Sequence, residues 1–447
     1  MLTAEQNATL TQVGPDTPMG ELMRRYWVPA LLSWELAEPD CPPLEVRLLG
    51  EDLVAFRASD GDVGIVSAYC AHRRASLFWG RNEENGLRCV YHGWKFDVTG
   101  RCVDMPSEPA ASNFKDRVQI PAYPACEVGG VVWAYMGPPD KRPAVPLFPW
   151  TQAPPERRAM SKVWEECNWL QALEGGIDTV HVNFLHGGRP PGLRYDERDA
   201  RGRANNVSTA ANIEVVPTDY GYIYAGIRDM GAEGTNHVRL YHWVMPWNQI
   251  RQTGSGPYFS GHMWVPMDDQ NTMVYNWDYL PAGREDSKED RTARSEDGVL
   301  PVWFRDARLE MGTGNSFGAE VDLEHGFRSV QNRSNLYKID RQVQKSQTFT
   351  GIPGINVQDR AVQESMGRIA DRSLERLGTT DRAIITARRS LLQAIAAVQE
   401  GKDPPGVAPT YYHLRPGEVI LAKDVSWYEA AQPLLREPEA PEAINAG

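Results

Sequence analysis

Two cysteines and two histidines in the first quarter of the chain form a possible set of metal ligands. Cys70 and His72 are followed, after sixteen further residues, by Cys89 and His92, so each cysteine has its own histidine. Two thiolates and two imidazoles are the ligands of a Rieske [2Fe-2S] cluster, in which one iron takes both cysteines and the other takes both histidines. Such a cluster accepts an electron and passes it on, so this pattern predicts an electron relay.

A zinc knuckle is the alternative for the same four residues. Zinc sites with two cysteines and two histidines usually place the cysteines together first and the histidines together last. Here the two residue types alternate along the chain, which favours the cluster over zinc. A small-molecule binding protein with a structural zinc ion therefore stays as the second interpretation of this segment.

Short β-type runs flank both ligand pairs, with turn residues at 60–61 and 99–100. Strands and turns in this alternation predict a small antiparallel domain that presents both ligand pairs on loops at one tip. Gly93, directly after His92, is expected to let backbone N–H groups approach the cluster sulfurs. The predicted strands are 53–57, 63–68, 95–98 and 102–105.

A second group of possible ligands lies in residues 168–186, which the sequence predicts to be one helix. On such a helix Glu174, Asp178 and His181 share one face, whereas His186 lies about 140° round from His181. Both histidines can bind one metal only if the helix is distorted or ends between them. Taken alone, this pair of histidines is weak support for a metal site.

An electron relay needs an acceptor, and this requirement strengthens the second group. Two histidines and one carboxylate are the facial triad of mononuclear Fe(II) oxygenases. Gly187 and Gly188 offer a helix end, and Asp359 is the candidate carboxylate, at the start of a predicted helix 359–370. Asp359 also fits an ordinary acid in the first turn after an N-cap at Asn356. The rival carboxylates are Glu174, Asp178 and Glu364.

Composition and charge exclude several classes of protein. The chain has 447 residues, of which 41% are hydrophobic, enough for two or three domains with large cores. Its net charge of −12 argues against nucleic acid and anionic membrane surfaces as partners. Six cysteines are too few for a disulfide framework, and no leader or membrane-span pattern stands out. We expect a cytoplasmic protein.

The chain divides into four predicted segments of an α+β protein. An N-terminal helical segment packs on the catalytic domain, an antiparallel β domain carries the first site, a larger domain carries the second, and a flexible tail follows. These segments are 1–39, 40–140, 141–432 and 433–447. We expect the larger domain to be an antiparallel sheet flanked by helices, of the helix-grip type. Its predicted elements are strands 221–228, 238–245 and 272–279, a charged loop 282–298, and helix 382–398.

Several motifs extend these patterns over nearly the whole chain. They are C-A-H-R-R-A-S-L (70–77), C-V-Y-H-G-W-K (89–95), N-W-L-Q-A-L-E-G-G-I-D-T-V-H-V-N-F-L-H (168–186), I-D-R-Q-V-Q (339–344) and G-I-N-V-Q-D-R-A-V-Q-E-S-M-G (354–367). With them the chain resembles the α-subunit of a Rieske non-heme iron aromatic-ring oxygenase, most similar to the phthalate dioxygenase group. The implied cluster ligands are Cys70, His72, Cys89 and His92, and the implied Fe(2+) ligands are His181, His186 and Asp359.

The resemblance also implies an assembly. Asp178 matches an aspartate that links the cluster histidine of one subunit, here His92, to the iron histidine His181 of the next. A head-to-tail ring, an α3 trimer or a dimer of trimers without a β-subunit, brings the two metals together. Electrons come from NAD(P)H through a separate flavin and iron–sulfur reductase or a ferredoxin.

The implied reaction uses O2 to hydroxylate an aromatic carboxylate of the phthalate, chlorobenzoate or phenoxybenzoate type. An O-demethylase or monooxygenase of a methoxylated aromatic acid is the alternative, because these enzymes share every metal motif. A Rieske electron carrier without catalysis is more remote, since it would need only the first 150 residues or so.

An anionic substrate requires a basic partner in its pocket. Arg228 and Arg239 lie on predicted strands of the second domain and are the candidates, with Arg251 behind them. For any one of them, an exposed salt bridge is the more common role of a strand arginine. Residues 187–204, rich in arginine, are a predicted lid or entry loop.

Overall fold

The structure is a computed structural model that describes residues 2–109, 111–186, 200–252, 258–283, 320–409 and 413–436. The first part of the predicted lid, with Gly187 and Gly188, most of the charged loop and the end of the predicted tail lie outside these residues. The division into 1–39, 40–140, 141–432 and 433–447 stays a prediction.

The helices within the described residues are α1 (Ala4–Thr11), α2 (Pro18–Met23), α3 (Pro149–Gln152), α4 (Trp169–Ile177), α5 (Ala200–Val207), α6 (Arg341–Ser346), α7 (Ile355–Ser365), α8 (Arg382–Gln399) and α9 (Trp427–Ala431). None of these helices is long and apolar enough to cross a bilayer. Helices α1 and α2 pack on α8, and α1 also contacts α4.

The strands of the N-terminal part are β1 (Trp27–Leu32), β2 (Leu44–Leu48), β3 (Glu51–Arg57), β4 (Val63–Ser67), β5 (Arg81–Glu83), β6 (Gly86–Arg88), β7 (Lys95–Phe96), β8 (Cys102–Asp104), β9 (Ala122–Tyr123), β10 (Ala125–Val128) and β11 (Val131–Tyr135). The later strands are β12 (Arg158–Glu165), β13 (Asn212–Pro217), β14 (Gly221–Asp229), β15 (Thr235–Val244), β16 (Asn248–Gln252), β17 (Phe259–Asp268), β18 (Asn271–Tyr279), β19 (Val321–Asp322), β20 (Arg328–Ser329) and β21 (Gly417–Ala422).

Two four-stranded antiparallel sheets, β2-β3-β4-β9 and β5-β6-β7-β8, build the N-terminal β domain. The predicted runs around the ligand pairs form β3, β4, β7 and β8. Phe56 and Phe96 are fully buried in a core that also contains Cys70 and Cys89. The cysteines are thus fixed in the hydrophobic core of the domain.

A third sheet, β1-β11-β10, contains a strand within a segment predicted to be helical. All six residues of β1 are buried, and Trp27 pairs with Tyr135 of β11. Pro29 lacks the N–H that a helix interior needs, and an unbroken apolar run suits a strand covered on both faces. The segment predicted to be helical, 1–39, therefore also contains a strand after its second helix.

The larger part of the chain forms a ten-stranded sheet in the order β13-β14-β15-β16-β17-β18-β12-β20-β19, with β21 paired to β15. Its pairs are antiparallel apart from β12 with β20. Helix α4 packs on β17 and contacts both α7 and α8. A Cβ atom at Gly176 would lie 2.0 Å from the Trp264 ring, so glycine permits this close approach. The predicted α+β class, with an antiparallel sheet and packed helices, is confirmed.

A buried charged cluster ties α4 to α8. The Glu174 carboxylate accepts hydrogen bonds from Arg372 Nε at 3.0 Å and from Arg388 Nε at 2.5 Å. Arg388 also donates to Glu375 at 2.6 Å. The side chains of Arg372 and Arg388 are 0% and 5% exposed, so each depends on this carboxylate to offset the cost of burial. Both oxygens of Glu174 are used here, and Glu174 is therefore excluded as a metal ligand.

Glu174→Ala should strongly destabilise the fold because it removes the ionic partner of the buried Arg372 and one of the two carboxylates that hold the buried Arg388. We expect the free energy of unfolding to fall by about 3 to 5 kcal/mol. Urea denaturation followed by circular dichroism measures this change. Glu400→Ala, which removes an exposed partner of Lys402, is the matched control and should have little effect. Equal stability of Glu174→Ala and wild type would contradict this role.

Candidate metal centres

The first predicted ligand set lies on two similar loops at one tip of the N-terminal β domain. The Cys70 N–H donates to the Ala75 carbonyl at 2.9 Å, and the Cys89 N–H donates to the Trp94 carbonyl at 2.8 Å. Each loop is thus closed by a backbone hydrogen bond from its cysteine. The histidine of each pair lies within the closed loop.

The four side chains of this set are arranged as two inner thiols and two outer imidazoles. Cys70 and Cys89 are 1% and 2% exposed and contact each other. His72 is exposed, and its Nδ1 lies 3.1 Å from Nδ1 of the half-buried His92. Burial, together with the neighbouring Cys89, raises the pKa of Cys70 to about 11, so its thiolate needs a nearby cation. This donor set fits a [2Fe-2S] cluster whose histidine-ligated iron is the outer one.

Gly93 has a structural role in the second loop. Its N–H donates to the Cys89 carbonyl at 2.9 Å. Its φ of +79° is in the left-handed region, and a Cβ atom there would lie 2.7 Å from the Pro106 ring. Glycine is therefore required by the turn and by the contact with Pro106.

The segment that carries the second set is not one helix. Helix α4 ends at Ile177, and Asp178 is extended with φ −62° and ψ 120°. The Asp178 carboxylate accepts a hydrogen bond from the Val180 N–H at 2.7 Å, and a 3₁₀ turn follows at His181–Asn183. A side chain that caps the next turn competes with helix continuation. The predicted helix over 168–186 is therefore wrong after its first half.

This early helix end brings the two histidines together. His181 Nε2 lies 3.1 Å from His186 Nε2, and Asp359 Oδ1 lies 3.4 and 3.3 Å from these two nitrogens. Ligands bound to one ion at right angles, with bonds of about 2.1 Å, lie about 3 Å apart. The three side chains are 12% to 26% exposed, so one side of the site is open. Among the described residues, these three side chains form a group whose ligand atoms are close enough together to hold one metal ion.

Both histidines have a partner for their outer ring nitrogen. His186 Nδ1 lies 2.9 Å from Gln358 Oε1, and Gln358 donates through Nε2 to the Ile352 carbonyl at 2.8 Å. His181 Nδ1 faces Asp178 Oδ2 at 3.6 Å. A proton on each Nδ1 leaves each Nε2 lone pair free for a metal, and carboxylate or carbonyl partners of this kind are usual for ligating histidines. Sequence reasoning did not identify Gln358, although it directly precedes Asp359.

Helix α7 positions Asp359 differently from the prediction. The helix begins at Ile355, with Gly354 rather than Asn356 as its N-cap. Gly354 has a φ of 88°, which glycine adopts without strain. Asp359 therefore lies in the second turn of α7, so it is not an acid of the first turn that stabilises the helix N-terminus. Burial opposes its ionisation, but the neighbouring histidines and Arg251 hold the pKa of Asp359 below its ordinary value.

The other rival carboxylates have different partners. Glu364 accepts hydrogen bonds from the Glu166 N–H at 2.9 Å and from the Tyr337 hydroxyl. Asp178 faces the Nδ1 side of His181, away from the point where the three ligands meet. Asp359 is thus the carboxylate that the structure places beside both histidines.

The three candidate arginines have two different roles. Arg228 is 1% exposed and donates to the Thr179 carbonyl at 2.8 Å, so it supports the loop after α4. Arg239 pairs with Gly226 across the sheet, so both residues face the same side. A Cβ atom added at Gly226 would lie 3.1 Å from Thr179 Oγ1, so this side is the one that carries α4 and the loop after it. Arg251 interacts electrostatically with Asp278 above all, and then with Asp359 and Arg239.

Of the three, Arg251 is the arginine whose electrostatic partners include a metal-binding residue, Asp359. Burial lowers the pKa of both guanidinium groups. Arg251 Nε is buried and has no hydrogen-bond partner among the residues that the structure describes. The Arg239 guanidinium stacks over the Tyr241 ring at 5.1 Å. Arg251, beside Asp359, and Arg239, opposite Glu418, lie on one face of the sheet and together can bind an anion.

Comparisons with known proteins agree with this geometry. A model of the Rieske [2Fe-2S] domain matches residues 26–124, and a model described as LigXa C-terminal domain like matches residues 134–433. The chain is 40% identical to the oxygenase subunit of phthalate 4,5-dioxygenase from Pseudomonas putida, over 96% of this chain and 94% of the relative. It is 33% identical to the oxygenase subunit of 5,5'-dehydrodivanillate O-demethylase from a Sphingobium species, over 91% of this chain and 84% of the relative.

The fold also matches solved structures. NdmA from Pseudomonas putida CBB5 superposes with a TM-score of 0.57 at 19% identity, over 92% of this chain and 100% of that chain. The agreement of both domain models, two nearly full-length relatives and the fold leads to one conclusion: this chain belongs to the Rieske non-heme iron aromatic-ring oxygenases, in the phthalate dioxygenase group.

Proposed function

We propose that this chain is the terminal oxygenase that hydroxylates an aromatic carboxylate, with the carboxylate held by Arg239 and Arg251. Members of its family use a [2Fe-2S] cluster, a mononuclear iron and O2. The observation that carries the substrate proposal is that the partly buried Arg251 interacts with both Asp359 and a second partly buried arginine, Arg239. The proposed cluster ligands are Cys70, His72, Cys89 and His92, and the proposed iron ligands are His181, His186 and Asp359.

The mononuclear iron supplies the activation of O2 when it is bound. The protein residues orient the iron ligands and the substrate. Gln358 and Asp178 fix the orientation of the two histidines, and the partly enclosed site limits the access of water. Arg251 and Arg239 would orient the ring by its carboxylate, because guanidinium groups bind carboxylates through directed, charge-assisted hydrogen bonds.

Two reactions fit these residues. One relative is named for phthalate dioxygenation and the other for O-demethylation of dehydrodivanillate. We favour ring hydroxylation because the phthalate relative shares more identical residues over a larger part of the chain. O-demethylation of a methoxylated aromatic acid is the second candidate and would use the same ligands and arginines.

The chain works with partners that deliver electrons, as oxygenase subunits of multicomponent systems do. We propose a phthalate-type reductase or a ferredoxin as the donor, and a homotrimer or dimer of trimers without a β-subunit. The exposed His72 and half-buried His92 support transfer across a subunit boundary. In the proposed path, His92 of one subunit meets Asp178 of the next, whose carboxylate faces His181.

His181→Ala and Asp359→Ala should each remove the mononuclear iron and spare the cluster. Iron should fall from about three to about two atoms per chain, with acid-labile sulfide unchanged. Metal and sulfide analysis of purified protein measures both. Glu364→Gln is the matched control and should keep all the iron. Loss of iron from Glu364→Gln but not from Asp359→Ala would reverse the ligand assignment.

Arg251→Gln and Arg239→Gln should each weaken the binding of phthalate by about 10- to 100-fold, because a charged hydrogen bond is lost. Isothermal titration calorimetry with the holoenzyme measures the affinity, and benzamide, a neutral ring of similar shape, tests whether the pocket is otherwise intact. Arg389→Gln, at an exposed position of α8, is the control. Unchanged phthalate affinity in both pocket variants would contradict the proposal.

Asp178→Asn should leave both metal centres loaded but slow substrate-coupled oxygen uptake by about 100-fold, as loss of an outer ligand partner commonly does. The reduced cluster should also reoxidise slowly in a single turnover. Asp229→Asn, at an exposed position, should behave like wild type. Normal oxygen uptake by the Asp178 variant would exclude this residue from the electron path.

A further inference from the structure

His262 is a buried histidine that the metal centres do not use. It lies on β17, pairs with Asn276 of β18, and is 8% exposed. Trp264, two residues along the same strand, contacts Gly176 of α4, so both side chains point to the face that carries the metal-binding loop. His262 interacts electrostatically with Arg251 and Asp359. His262 therefore lies on the same face of the sheet as Arg251, near the proposed iron ligand Asp359.

Its hydrogen bonds assign the proton to one nitrogen. Asn276 Nδ2 donates to Ser161 Oγ at 3.4 Å, which turns Asn276 Oδ1 toward His262. That oxygen accepts a hydrogen bond from His262 Nδ1 at 2.5 Å. The assignment follows from the network, since a carbonyl oxygen cannot donate. Burial and the positive charge of Arg251 lower the pKa of His262 to about 3, so the ring is neutral.

The other ring nitrogen, Nε2, is then an acceptor with a free lone pair. It makes no hydrogen bond with the residues that the structure describes, and it is not one of the fully buried polar atoms without a partner, so this nitrogen is accessible. An accessible acceptor on this face can accept a hydrogen bond from water or from a ligand. Arg239 and Arg251 supply only hydrogen-bond donors to the pocket, so His262 Nε2 adds a hydrogen-bond acceptor beside them.

The spacing suits a single aromatic ring. Arg251 pairs with Ser260, and His262 is two residues further along β17 on the same face. Two residues of a strand span about 7 Å, which is close to the distance between a ring carboxylate and a substituent in the meta or para position. A ring anchored by its carboxylate at Arg251 can therefore reach His262 with a second group.

We propose that His262 Nε2 accepts a hydrogen bond from a hydroxyl or amino group on the substrate ring, and that it selects aromatic acids with such a donor over their methoxy analogues. This inference rests on the proposed function, because the arginines must hold the carboxylate first. Asn276 is the positioning residue that keeps the acceptor nitrogen in the pocket. The substrate class is then an aromatic acid that carries a meta or para donor.

The test compares matched pairs of ligands that differ only in the donor. Isothermal titration calorimetry with the holoenzyme gives the affinities of 3- and 4-hydroxybenzoate and of 3- and 4-methoxybenzoate. In wild type, at least one hydroxy acid should bind about tenfold more tightly than its methoxy partner, as one hydrogen bond to this acceptor predicts. His262→Leu should bring that ratio below about twofold with the methoxy affinity unchanged.

His262→Gln keeps an acceptor oxygen and should retain part of the preference, and it serves if the leucine variant does not fold. His325→Leu removes a histidine that is 75% exposed and should bind all four acids like wild type. The inference is overturned if neither hydroxy acid is preferred in wild type, if the preference survives in His262→Leu, or if both members of a pair weaken equally. Failure of the proposed function would differ, since Arg251→Gln would then leave the affinity for all four acids unchanged.

Discussion

The meeting of two imidazole nitrogens and one carboxylate oxygen at a single point is the constraint on which the rest of the structure depends. The Nε2 atoms of His181 and His186 approach to 3.1 Å, and Asp359 Oδ1 lies 3.3 to 3.4 Å from each. Groups of this kind are stable together only around a cation. To bring them together, α4 must end early and α7 must begin at Gly354. The buried pairing of Glu174 with Arg372 and Arg388 fixes α4 behind the site.

Around this point the sheet supplies a polar pocket with a directed pattern of donors and acceptors. Charges act more strongly there than at the surface because the side chains are largely buried. Arg251 adds positive charge beside Asp359, while His262 stays neutral and offers an acceptor. The cluster loops, by contrast, are at the exposed tip of a separate β domain, where electrons can enter and leave. The architecture thus separates electron delivery from substrate chemistry.

The sequence predicts the chemistry of this protein better than its local geometry. The spacing of Cys70, His72, Cys89 and His92 is short, so two loops of one small domain position all four. Asp359 lies far from the histidines in sequence, so the residues alone offered it only as one candidate among several carboxylates, and the family resemblance separated it from its rivals. The end of α4 at Ile177 escaped prediction because the apolar spacing continues to His186, while the Asp178 cap depends on one side chain. Gln358 and His262 escaped because their roles depend on strand register and helix packing.

Iron-edge anomalous diffraction from crystals of the reduced, iron-loaded protein with phthalate tests the central claim most directly. We expect an iron peak at His181 Nε2, His186 Nε2 and Asp359, and a second, larger peak between the two cluster loops. The phthalate carboxylate should lie on Arg251. A fully active protein that shows no iron between these three side chains, or iron held by another carboxylate, would contradict it.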